Sequence, residues 1–111
     1  MSTKNSIRAE ELTSIASADL TGGYDAINAD GLSRACTIIR LTNDMDVDVQ
    51  ISYDGIVSHD YLKTGDWLEV NAGWVFHNNQ GGQFKKGTIV YALGTAGQGG
   101  SLYLAGYSQQ D

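Results

Sequence analysis

Three aspartates, Asp44, Asp46 and Asp48, stand at every second position, the spacing that opens an EF-hand calcium loop. The pattern then breaks. Its sixth position is Val49, where the loop needs glycine, and its twelfth is Gly55, where a bidentate glutamate closes the site. The aspartates therefore read as a polar turn running into a solvated strand face. Ser52, Asp54 and His59 are the residue types of a hydrolytic triad. A triad needs its base between nucleophile and acid beside an oxyanion hole, and nothing here marks a nucleophile elbow. Asp54-Gly55 instead sets a turn, with Ser52 or His59 placed to hydrogen-bond nearby backbone. Ser52, Asp54, Gly55, His59 and Asp60 are thus expected to form a structural turn motif, and no residue is assigned to catalysis.

His59 and His77 are the only histidines, too few for a tetrahedral zinc site without carboxylates at ligand spacing. The single cysteine, Cys36, excludes an intrachain disulfide and a cysteine-based zinc cluster, and reads as a small buried hydrophobe. The glycine-rich run 94–100 lacks the Lys-Ser/Thr of a phosphate loop and precedes a strand, so it reads as a hairpin tip. No metal and no cofactor is expected.

The second half is rich in aromatics: Tyr61, Trp67, Trp74, Phe76, Tyr91, Tyr103 and Tyr107. Trp67 alternates with Leu68 and Trp74 with Val75, so one member of each pair faces away from the main core. An outward aromatic either stacks on a sugar ring or anchors a protein interface. The candidate partner contacts are Ile7, Arg8 and Leu12 near the N-terminus, with Trp67, Trp74 and Phe76.

These residues must be carried by strands. Proline is absent and glycine occurs 14 times, so bends rely on Gly, Asn and Asp. Thr13 to Ala18 and Tyr24 to Ile27 read as short strands, and Cys36 to Thr42 as a central one. Val47 to Tyr53 alternates, with Val47, Val49, Ile51 and Tyr53 inward and Asp48, Gln50 and Ser52 outward. Further strands are expected at His59 to Leu62, Trp67 to Val70, Trp74 to Phe76, Thr88 to Leu93 and Ser101 to Tyr107. The expected fold is all-β: one antiparallel β-sandwich or jelly-roll-like barrel of about eight to ten short strands. Residues 1–11 read as a polar N-terminal arm, able at most to form one helical turn, 12–107 as the sandwich, and 108–111 as a C-terminal tail.

Thirteen acidic against seven basic side chains leave a net charge of −6. That disfavours nucleic acid, which needs excess Lys and Arg, and an electrostatic anchor on anionic lipid. The polar opening Met1 to Arg8 has no apolar core of a signal peptide, and no apolar run is long enough to span a bilayer.

Several segments carry a family likeness: Leu20 to Ile27, Thr37 to Asn43, Asp46 to Gly55, Ser58 to Tyr61, Phe84 to Tyr91 and Gly97 to Leu104. Ser52-Tyr53-Asp54-Gly55 followed by His59-Asp60 is the most distinctive. Together they resemble small all-β virion proteins of tailed bacteriophages, over about residues 12–107. Cys36 and the loop 78–83 depart from that pattern. The resemblance implies a non-enzymatic protein, made in the host cytoplasm and located in the virion. There it would decorate or cement the capsid by binding the major capsid protein or another virion protein. A head–tail junction or tail component is the nearest alternative. Exposed sheet edges would also allow a dimer or trimer. An alternative of another class is a carbohydrate-binding β-sandwich stacking sugars on Trp67 or Trp74.

Overall fold

Alternating side chains and glycine-rich bends produce short extended segments. The structure, a computed structural model, describes residues 7–72 and 83–109. Nine strands lie among them: β1 (Ile7–Ala9), β2 (Thr13–Ala16), β3 (Tyr24–Ala26), β4 (Ile38–Asn43), β5 (Val49–Ser52), β6 (Asp60–Leu62), β7 (Trp67–Asn71), β8 (Tyr91–Leu93) and β9 (Ser101–Gln109). Two antiparallel sheets result, one ordered β1–β9–β4–β7, with β2 also on β9, the other β3–β8–β5–β6.

β1 and β2 lie one after the other on β9, Ile7 opposite Gln109 and Thr13 opposite Leu104. Taken as one interrupted strand, they complete four nested pairs: β1/β2 with β9, β3 with β8, β4 with β7, and β5 with β6. Successive pairs fall in alternate sheets, so the chain is a long antiparallel ribbon rolled on itself. This is the strand order of a jelly roll, and it meets the expected all-β sandwich.

The inward side chains of both sheets fill the space between them. Ile39 and Leu41 of β4 and Leu102 and Leu104 of β9 lie in one buried cluster with Val49 and Ile51 of β5, Leu62 of β6 and Ala92 of β8. β4 is central to its sheet, as expected, but Arg40 and Thr42 on its other side are open to water.

Several expectations change. Residues 7–9, expected in the arm, form β1, because Ile7, Arg8 and Ala9 find partners along the far end of β9. Glu10 continues the tether: its backbone N–H donates to Gly106 O at 2.8 Å, and its carboxylate accepts from the Ser33 N–H and hydroxyl. Ser108 and Gln109, expected in the tail, belong to β9. Ala16 ends β2, and Ser17–Asp19 form a 3-10 turn instead of continuing it. The 94–100 run is not a hairpin tip, since the strands that it joins, β8 and β9, lie in different sheets. It is fastened along its length: Gly97 N–H donates to Ser17 O, Gln98 N–H to Asp46 Oδ2 at 2.9 Å, and Asp46 N–H to Gly99 O.

Cys36 is fully buried and bridges Phe84 through paired backbone hydrogen bonds of 2.8 and 2.6 Å. Burial, followed by the nearby Glu10 carboxylate, pushes its thiol up to about 11. A thiol that stays protonated is a poor nucleophile. Native protein should therefore resist iodoacetamide at neutral pH, and unfolded protein should react fully. Rapid native alkylation, read by mass, would contradict this placement.

Candidate binding surfaces

The turn between β5 and β6 is built from the motif residues. Ser52 is completely buried, against the expectation that it faces out. Its hydroxyl accepts from Gly55 N–H at 2.8 Å and from Asp54 N–H at 3.3 Å, and donates to Asp54 Oδ1 at 3.0 Å. Those bonds fold the turn back over Ser52, so strand parity no longer decides its exposure. Asp54 Oδ1 accepts in turn from Ile56 N–H at 2.8 Å and Val57 N–H at 3.2 Å. Gly55 adopts a left-handed φ of 76°, and a β-carbon there would press on the Tyr91 ring at 3.0 Å. His59 Nδ1 accepts from Tyr53 N–H at 3.1 Å while its ring stacks on Tyr53 at 5.4 Å. Tyr53 donates its hydroxyl to Asp60 at 2.7 Å.

This geometry is a turn scaffold and not a triad. The Ser52 hydroxyl is bonded to the acid rather than to His59, whose Nε2 lies 3.8 Å from Asp54. The turn also presents two aliphatic side chains that the sequence reading missed, Ile56 at 76% exposure and Val57 at 53%. The available signal was an apolar pair directly after Asp-Gly, where turn chemistry favours polar residues.

The three spaced aspartates do not converge on one point either. Asp46 accepts from Gln98 N–H and the Ser17 hydroxyl, whereas Asp48 accepts from Thr64 N–H and the Tyr61 hydroxyl. These bonds hold both carboxyls below the ordinary carboxylate range, led by Gln98 N–H for Asp46 and Thr64 N–H for Asp48. Asp54 is lowered likewise, first by Ile56 N–H and then by Val57 N–H. A carboxyl that is more acidic when folded binds fewer protons than in the unfolded chain, so acid favours unfolding. The stabilisation is complete above about pH 4 and drains as pH falls through the lower folded values. The urea midpoint should drop between pH 6 and pH 3, and less so in Asp46→Asn. A midpoint unchanged by pH would contradict these anchoring roles.

The outer face of the five-stranded sheet is a second open surface. Register places Tyr103, Thr42 and Trp67 in one row, Arg40 and Glu69 in the next, and Tyr107 and Ile38 in a third. Trp67 is 61% exposed and faces away from the core, as alternation with half-buried Leu68 predicts. The Arg40 guanidinium lies 5.6 Å from its ring centre and also pairs with Glu69 at 3.5 Å. In these rows the two charges cancel on a chain of net charge −6.

The other candidate contacts distribute unevenly. Leu12 is exposed between β1 and β2, at the opposite lateral edge of this sheet from Trp67 on β7. Arg8 stands opposite the buried Ser108, on the inward side of β1, and so does not join the Trp67 face. Ile7 occupies the start of β1. Trp74, Phe76 and His77, with the strand expected at 74–76, lie outside the described residues.

The four-stranded sheet also carries a cross-strand row on its outer face: Tyr24, Leu93, Gln50 and Tyr61, one from each strand. Compared with family models, curated proteins and solved structures, the chain matches none.

Proposed function

We propose that this chain is a non-enzymatic structural protein of a bacteriophage virion, binding the capsid shell through the outer face of its five-stranded sheet. The observation that carries the reading is the charge-balanced aromatic patch of Trp67, Tyr103, Tyr107 and Ile38 around the Arg40–Glu69 pair. Interface centres are enriched in Trp, Tyr and Arg and depleted of unpaired charge, the composition of this patch. Elsewhere the acidic surface keeps free copies apart. On a repetitive shell, many modest contacts add up. Jelly rolls serve both viral shells and lectins, so the fold is compatible with this role without choosing it. The likeness of residues 12–107 to small virion proteins supplies the choice.

The test uses particles assembled without this protein. Added back, the purified protein should bind them at a fixed stoichiometry and raise the temperature at which they release DNA. Particles that neither bind it nor change their release temperature would overturn the reading.

A further inference from the structure

We infer that the outer face of the four-stranded sheet, on the opposite side of the molecule from the Trp67 patch, binds a neutral oligosaccharide across Tyr61 and Gln50. This assignment stands independently of any place in a virion. Its site also differs from the tryptophans that the sequence favoured for sugar stacking.

Tyr61 is 57% exposed, yet its ring is not free to turn. Its hydroxyl donates to Asp48 Oδ2 at 2.7 Å, and Asp48 is itself held by Thr64 N–H at 2.8 Å. An aromatic ring fixed before binding loses little rotamer freedom on binding. Two depressions flank it, of about 310 and 330 Å³, and both are lined by Tyr61 and Gln50. Both are open and shallow, which suits a ligand lying along the surface rather than one enclosed in a cleft. The first continues toward Leu93, Gly94 and Thr95, the second toward Ser58 and Asp60. A trough with the ring between its two halves suits a chain of rings better than one compact ligand.

The polar groups select the chemistry. Ser58 Oγ lies 2.8 Å from the Tyr24 hydroxyl and donates to Gln50 Oε1 at 2.6 Å, which fixes the Gln50 amide. Gln50 Nε2 has no hydrogen-bond partner among the described residues, leaving its two donors for a ligand. The Asp48 carboxylate offers acceptor capacity alongside. A pyranose presents the complement: an apolar ring face for Tyr61, and hydroxyls that both accept and donate at its rim. Asp48 and Asp60 disfavour an anionic chain. A peptide strand would pair along the open edge of β6, whereas this trough lies on the face of the sheet, lined by side chains of β5, β6 and β8.

The test is an amide-shift titration with neutral cello-, malto-, xylo- and chito-oligosaccharides. At least one should move the amides of Gln50, Tyr61 and Thr64, and leave those of Arg40 and Trp67 in place. Tyr61→Ala should weaken that binding about tenfold or more, Gln50→Ala several-fold, and Trp67→Ala not at all. Should Tyr61→Ala fail to fold, Gln50→Ala and the wild-type shift map decide. No shift at ~10 mM of any probe, or shifts centred on Trp67, would overturn the inference. So would binding that an uncharged extended peptide matches.

Discussion

Asn43→Ala should cost about 3 kcal/mol and lower the melting temperature by roughly 10–20 °C. Asn43 is 1% exposed at the end of β4. Its Nδ2 donates to Val47 O at 3.0 Å and Leu62 O at 3.2 Å, and its Oδ1 accepts from Met45 N–H at 2.9 Å. One side chain thus ties the turn after β4 to the end of β6. Alanine leaves three backbone groups without their partner, and each buried orphan costs about 1 kcal/mol or more. Asn43→Asp keeps the acceptor for Met45 but turns a carboxylate toward two carbonyl oxygens, so it should be at least as damaging at neutral pH. Chemical denaturation of the two variants checks this. A loss below about 1 kcal/mol in both would mean that the carbonyls find other partners.

Gly100→Ala should be of comparable size. Gly100 has φ +81°, where an L side chain costs about 1–2 kcal/mol. A β-carbon there would also overlap the Asp44 carbonyl oxygen and stand 2.9 Å from the Met45 α-carbon. Asp44 cannot easily retreat, because its N–H is bonded to Ser101 O at 3.0 Å. We expect a loss of about 3 kcal/mol or more. The neighbour is the control: a β-carbon on Gly99 meets nothing within 4 Å, so Gly99→Ala should be nearly neutral. Equal melting temperatures for the two alanine variants would contradict the packing of this loop.

Much of the architecture is written in local alternation. Val49, Gln50 and Ile51 alternate as a strand between core and solvent must, and Asp54-Gly55 turns the chain where its chemistry requires. Trp67 faces out for the same reason that Leu68 faces in. What local pattern does not carry is pairing between distant segments. The 94–100 loop looks loose in sequence, yet Ser17 and Asp46 clasp it, with Asp46 and Gln98 52 positions apart. Ser52 shows the limit within a strand, because a side chain recruited into a turn obeys its hydrogen bonds before its parity. The Tyr24–Leu93–Gln50–Tyr61 row was hidden likewise, since its members come from four strands and meet only through register.

Adhesion through the Trp67 face is the claim on which the functional account rests. Its most direct test is the affinity of wild-type protein and Trp67→Ala for particles assembled without the protein, measured by co-sedimentation. Trp67 is exposed, so its removal should leave the fold intact while weakening attachment by tenfold or more, as truncating an interface anchor does. Equal affinity for both proteins, or no attachment of the wild type, would contradict it.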